Sequence, residues 1–271
     1  MDQSDGPVAL VTGASSGIGY AMAAHWVAAG WRVYGMSRSG KVAAGVRPLV
    51  ADVTDPRSVR QAIEELWAEA GQLQAVVHSA GIGGAAPVEY FPIEKARHVI
   101  ETNLVGSLNV LQACLPHLRQ QGSGTLVVVS SIAGLMGVPY HGIYSASKAA
   151  VEALVESVRL ELMGSGVNVV SVCPGDTATP IIGHQFRATA EEVPDFYQRN
   201  YERAERAMRE SVDQGYPPEK VAEAIARICA QPNPKVRYMV GPFIQTIAPA
   251  VKRFLPSRFF EWALGKYYGQ Q

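Results

Sequence analysis

Residues 8–30 read VALVTGASSGIGYAMAAHWVAAG. The first five residues fit a buried strand, the run after Gly17 fits a helix, and Gly13, Gly17 and Gly19 stand at the junction. Glycines there permit a tight turn and a close approach of backbone to a pyrophosphate, while the helix N–H groups and dipole favour its negative charge. Ser15, Ser16 and Ile18 belong to the same turn and join the glycines as candidate cofactor contacts. The spacing is G-x-x-x-G-x-G, which differs from the G-x-G-x-x-G fingerprint. The same residues also match G-x-S-x-G, a nucleophile elbow, with Ser15 as nucleophile and Asp176 and His184 as partners. That competing reading leaves the third glycine unexplained and puts the elbow after the first strand.

Outward from this turn, short apolar runs alternate with amphipathic ones. VALVT, WRVYGM, RPLVADV, LQAVVHSAG, GTLVVVSS and VNVVSVCPG read as strands, with a last one at 236–240. Helical patterns lie near 17–30, 56–70, 94–120 and 142–163. The Asp55-Pro56 pair marks a helix start, and Gly30, Gly71 and Gly164 mark stops. Repeated β-α-β order predicts an α/β, Rossmann-type doubly wound parallel sheet with helices on both faces. The expected organisation is one catalytic domain over 1–245, with a partly helical substrate-side insert at 181–215, and an amphipathic extension over 246–271.

Composition narrows the classes. Apolar residues are 48% and charged residues 18% of the 271-residue chain, enough for a sizeable core. Lys and Arg number 24 against 24 Asp and Glu, so no overall field recruits nucleic acid. Cys114, Cys173 and Cys229 are scattered and odd in number, and neither they nor the six histidines have metal-ligand spacing. The N-terminus lacks a basic, apolar leader, and the expectation is a cytoplasmic protein without a metal.

An acid at the end of the second strand would bond both adenosine ribose hydroxyls and repel a 2′-phosphate. Here that position holds Ser37 and Arg38, and an arginine fork suits phosphate. The pair predicts NADP(H), against the plainer reading of a solvated loop arginine.

The stretch GIYSASKAAVEAL places Tyr144 and Lys148 four residues apart, hence on one helix face. A free phenol has a pKa near ~10, and an ammonium beside it favours the phenolate, which suits general acid-base work. Alone, Y-x-x-x-K is common, and SASK also imitates the S-x-x-K of penicillin-binding enzymes, but S-D-N and K-T-G are missing.

Set beside TGASSGIG (12–19), ADVTD (51–55), HSAG (78–81), TNLVG (102–106), VVSSIAG (128–134) and PGDTAT (174–179), YSASK makes the chain resemble the short-chain dehydrogenases/reductases across residues 8–241. The resemblance implies that Tyr144 exchanges a proton with the substrate oxygen, and that Lys148 lowers the tyrosine pKa while binding the nicotinamide ribose. It implies that Ser131 bonds the substrate carbonyl, and that Asn103 bonds a backbone carbonyl and helps to hold a water near Lys148. Asp52 and Val53 should meet adenine, Ser79, Ala80 and Gly81 should line the cofactor, and Pro174, Gly175, Thr177 and Thr179 should meet its nicotinamide end. The family's NNAG is HSAG here, so His78 is expected to be a structural polar residue.

SIAGLMGVPYHGIYSASK and the aromatic tail resemble the hydroxysteroid and retinol dehydrogenase branch. Leu135, Met136 and Val138 are expected to line an apolar pocket, which points to a lipophilic ketone, aldehyde or alcohol as substrate. In the tail, Phe254, Leu255, Phe259, Phe260, Trp262 and Leu264 alternate with Lys252, Arg253, Arg258 and Lys266. Such a segment either packs over the substrate site or touches a membrane surface. The helices at 103–120 and 142–163 pair subunits in this family, implying a homodimer or homotetramer. A silent NADP(H)-binding sensor and the Ser15 hydrolase stand as alternatives.

Overall fold

A computed structural model of the protein describes residues 6–180, 183 and 185–270. His184 of the hydrolase reading lies outside the described residues. The opening stretch forms strand β1 (Val8–Thr12) and helix α1 (Gly17–Ala28). All five residues of β1 are buried, because alternate side chains enter opposite faces of a covered sheet. Leu10 joins the core that includes Ile63 and Leu111, while Ala9 and Val11 join the one that includes Met22 and Trp26.

From β1 the chain forms β2 (Arg32–Ser37), β3 (Arg47–Val50), helix α2 (Pro56–Ala70) and β4 (Ala75–His78). Asp55 caps α2 by accepting from the Arg57 N–H at 2.9 Å, and Gly71 ends it at φ +66°, a left-handed conformation that favours glycine. The short strand β5 (Gly84–Ala85) precedes α3 (Ile93–Ile100), one π-helical turn at Glu101–Val105, and α4 (Gly106–Gln121). Strand β6 (Gly124–Val129), helix α5 (Gly142–Glu161) and strand β7 (Val167–Pro174) follow. Beyond them lie β8 (Phe186–Arg187), α6 (Asp195–Asp213), α7 (Pro218–Cys229), β9 (Arg237–Val240), α8 (Phe243–Phe254) and α9 (Ser257–Tyr267).

Seven strands form one parallel sheet in the order β3-β2-β1-β4-β6-β7-β9. Helices α1 and α7 pack on one face around Trp26 and Ile225, and α2, α4 and α5 cover the other around Leu66, Leu111 and Val151. This is the doubly wound arrangement the strand pattern predicts. Because β2 and β3 lie on one side of β1 and β4 on the other, the connections diverge at the C-terminal ends of β1 and β4, opening a crevice there.

Two local findings modify the sequence picture. The helix expected over 94–120 contains a π turn that holds Asn103, the kind of bulge that sets apart one residue of a helix. Leu135 and Met136 do not line the main cavity: Met136 packs with Ile132 and Cys173, and Leu135, Ala248 and Phe260 pack against that cluster. Only Val138 of that trio faces the cavity, because the C-terminal helices cover the other two.

Candidate active site

Gly13, at φ +66°, leaves the β1 end in a left-handed turn, and a Cβ there would stand 2.8 Å from the Ala80 nitrogen. Gly17 is also left-handed, and a Cβ on it would meet the Thr179 side chain at 3.2 Å. A Cβ on Gly19 would collide with the Gly13 carbonyl, so this third glycine lets the helix close on the strand. Ser16 caps α1 without a side-chain bond to it, and no acidic residue sits in the first turn. The helix N-terminus therefore faces the crevice as a positive, donor-rich end.

A cavity of about 380 Å³ starts at this turn. It passes Ser37, Arg38, Asp52 and Val53, then Ser79, Ala80 and Gly81, and reaches Ser131, Tyr144, Lys148 and Pro174, Gly175, Thr177 and Thr179. All the catalytic and cofactor candidates selected from the sequence line it except Gly19 and Asn103, which lie beside it. A left-handed turn at Gly13, an open helix end and a chain of small residues along the crevice fit a dinucleotide.

At the far end, Ser37 is buried and donates to the Lys41 carbonyl at 3.3 Å. Arg38 is exposed and forms no hydrogen bond or ion pair among the described residues. Asp52 accepts from the Thr54 N–H (2.9 Å) and hydroxyl (2.8 Å). Burial pulls its carboxyl upward, but those bonds and the charges of Arg38 and His98 outweigh that and hold it below the usual range.

At the catalytic end, Ser131 caps a short 3₁₀ turn and accepts from the Ala133 N–H at 3.1 Å. Tyr144 sits on the first turns of α5, and burial raises its phenol above the ordinary value, with the Asp176 and Cys173 charges adding and the Ser131 hydroxyl opposing. This differs from the expectation that Lys148 lowers the tyrosine. The lysine nitrogen is 6.0 Å from the ring centre and donates to the Val129 carbonyl at 2.9 Å. Burial depresses Lys148 itself to about 8, against the opposing charges of Cys173 and Glu152. In the protein alone, desolvation governs both groups, so the phenol is protonated at neutral pH and the ammonium is only weakly held.

Asn103 is fully buried and its amide clamps one residue: Oδ1 accepts from the Ile82 N–H (2.8 Å) and Nδ2 donates to the Ile82 carbonyl (2.9 Å). Nδ2 also donates to Ser147 Oγ at 2.9 Å, and Ser147 donates to the Tyr144 carbonyl at 2.7 Å. Ser147 went unnoticed in the sequence, although a serine three residues after a candidate tyrosine is placed to bond back along its helix. Ser145, the serine of the S-x-x-K imitation, accepts from the Val138 N–H at 3.3 Å.

His78 lies at the end of β4, with Nδ1 2.7 Å from the Thr12 hydroxyl and Nε2 buried without a hydrogen bond. Burial, with Lys148 adding, lowers it to about 3. It is thus a neutral link between β4 and β1.

The wall beyond Tyr144 was the least legible part. Val138, Met208, Val212 and Tyr268 supply apolar surface, and His141 and Gln185 supply polar groups. Tyr268, in the tail, is buried, which raises its phenol. Behind His141, buried Glu205 faces His141 Nε2 at 3.4 Å and Arg187 Nε at 3.3 Å. Tyr140 precedes them at φ +63°, a strained conformation for a tyrosine, held by its hydroxyl bond to Gln270 and its ring against Tyr201. Asp176 accepts from Ser211 (2.5 Å) and Gln245 (2.6 Å), which ties α6 and α8 to the strand end.

Fold and cavity together define a dinucleotide-binding α/β oxidoreductase: the crevice fits the cofactor, and the hydroxyls at its end can exchange a proton with a substrate oxygen. Residues 7–190 match the short chain dehydrogenase family, and the chain belongs to it. It is 36% identical to 3-ketodihydrosphingosine reductase of Bacteroides thetaiotaomicron, covering 96% of this chain and 97% of that one. It is 34% identical to the NADPH-dependent 3-dehydrocapnine reductase of Ornithobacterium rhinotracheale (86% and 88% covered), and 30% identical to human 17-beta-hydroxysteroid dehydrogenase type 1 (92% and 79%). The protein is an oxidoreductase of CH–OH groups that binds NAD(P) and acts on small molecules. Membership of this oxidoreductase family displaces the hydrolase and silent-sensor readings, and Ser15 lines the crevice at the glycine turn.

Proposed function

We propose that the protein reduces a lipophilic ketone, of the long-chain 3-keto type acted on by its Bacteroides relative, with NADPH. The observation that carries this reading is the single cavity joining the Ser15–Arg38 end to Ser131 and Tyr144 and then to an apolar wall of Val138, Met208, Val212 and Tyr268. Arg38, with no partner bond of its own, and Ser37 stand where a 2′-phosphate would be recognised, and the Ornithobacterium relative is named as NADPH-dependent.

Gly13, Gly17, Ser15 and Ser16 would hold the pyrophosphate, Arg38 the adenosine phosphate, and Lys148 and Thr177 the opposite end. When bound, the nicotinamide supplies the hydride. Ser131 and Tyr144 donate hydrogen bonds to the substrate carbonyl, and Tyr144 passes its proton to that oxygen as negative charge develops there. Its raised pKa keeps the phenol protonated at neutral pH, which suits the donor role in reduction. The buried Lys148 ammonium steadies the phenolate left behind. Asn103 Oδ1 keeps an acceptor site for a water on the route that returns the proton. A homodimer through α4 and α5, where Leu108 and Leu160 are exposed, fits the same reading and is checked by sedimentation.

The test is NADPH oxidation over a panel of long-chain, steroid and short aliphatic ketones in detergent. Long-chain ketones should turn over fastest, Tyr144→Phe should lose turnover by about 10³-fold or more while still binding NADPH, and S37D/R38A should raise KM for NADPH far more than for NADH. Equal losses with both cofactors sink the cofactor assignment, and turnover intact in Tyr144→Phe sinks the mechanism.

A further inference from the structure

Helices α8 and α9 carry a surface that the candidate active site does not use. On α8, Gln245 turns inward to bond Asp176, and Ala248 packs against the Ile132–Met136–Cys173 cluster. The other side of α8 ought to be polar, since an amphipathic helix gives its charged face to water. Instead, Phe243, Ile244, Ile247, Val251 and Phe254 follow one another at helical spacing and are exposed, Phe243 by 76% and Phe254 by 83%. Helix α9 repeats the arrangement: Phe260 and Leu264 pack inward, while Phe259 and Trp262 stand outside with ring centres 5.6 Å apart.

Charge accompanies this apolar face. Lys252, Arg253, Arg258 and Lys266 lie on the two helices against one acid, Glu261, in a chain whose charges balance overall. All four cations are exposed, and Lys252 also donates to the Leu135 carbonyl at 3.2 Å. Among the described residues no helix is long and apolar enough to cross a membrane. Exposed aromatics rimmed by cations match the boundary of an anionic bilayer, where rings enter the headgroup region and cations meet phosphates.

We infer that α8 and α9 dock the enzyme on a bilayer surface containing anionic lipid, with Phe243, Phe254, Phe259 and Trp262 entering the headgroup boundary. The segment ends in Tyr268, which lines the cavity, so the docking face and the substrate wall are two sides of one element. Delivery of a lipophilic ketone from the bilayer rests on the function proposed above; docking does not.

The test mixes the full chain, without substrate, with phosphatidylcholine vesicles containing or lacking phosphatidylglycerol. Cosedimentation with the anionic vesicles, weakened by salt and accompanied by a blue shift of Trp262 emission, is the expected result. F243E/F254E, whose exposed sites leave the core untouched, should reduce partitioning by about tenfold or more, with melting temperature and turnover of detergent-dispersed ketone unchanged. Absence of vesicle binding, or equal binding by the variant, overturns the inference. A wild-type dimer that this variant dissolves, without vesicle binding, assigns the face to a second copy and also overturns it. Loss of ketone turnover with vesicle binding intact would instead strike the proposed substrate.

Discussion

Acidification should weaken this fold through His78, by an amount that the structure sets. Folded, the imidazole is held near 3 by burial and by Lys148; unfolded, it returns to 6.5. Below pH 6.5 the unfolded chain binds a proton that the native chain refuses, so stability is fully present above 6.5 and is lost as pH falls towards 3. At about 1.4 kcal/mol per pH unit, this one group removes on the order of 3 kcal/mol by pH 4.5. Asparagine, the residue the family usually has here, carries no titrating proton. Urea denaturation of wild type and His78→Asn at pH 7 and pH 4.5 isolates the contribution from that of the carboxylates, which both proteins share. The wild type should lose about 3 kcal/mol more than the variant between the two pH values, and its melting temperature should fall by roughly 5–10 °C more. Parallel pH profiles would refute the reasoning and mean that water or a partner solvates the His78 ring in the native state.

Lys148, held near 8, should impose an alkaline limb on ketone reduction, with rate falling about tenfold per pH unit above it. Lys148→Arg, which stays charged, should move that limb upward even at lower overall activity, as a stopped-flow pH profile would reveal. Glu205→Gln should cost about 1–3 kcal/mol, because half-buried Arg187 loses its counter-charge. R187Q/E205Q should recover part of that loss in chemical denaturation. Gly13→Ala should cost about 1–2 kcal/mol for its left-handed backbone alone. The clash with Ala80 should also abolish thermal stabilisation by NADPH.

The strand–helix alternation and the glycine turn were legible because they depend on local rules. The continuous apolar run of β1, the cap at Asp55, the stop at Gly71 and the glycine turn each follow from a few neighbouring residues. Tyr144 and Lys148 share a helix face for the same reason. What sequence spacing could not supply was the balance of solvation around them. Lys148 lies close enough to favour a phenolate by simple charge, yet burial of both groups dominates, and this depends on β6, α5 and β7 enclosing them together.

The substrate wall is where sequence and tertiary structure part most clearly. Leu135 and Met136 closely follow Ser131 in the chain, but α8 and α9 cover them, and Met208, Val212 and Tyr268 take the wall instead. His141 meets Glu205, 64 residues away, only because α6 packs its Ala204 side against the turn before α5. The sequence by itself determined the α/β alternation, the cradle at Gly13–Gly19 and the family, since each is written in local periodicity or short spacing. Tertiary structure alone decided which apolar residues face the cavity, which face the core and which face outward on α8 and α9. Those outcomes depend on long-range packing, and an apolar side chain has the same pattern in the sequence wherever it finally lies.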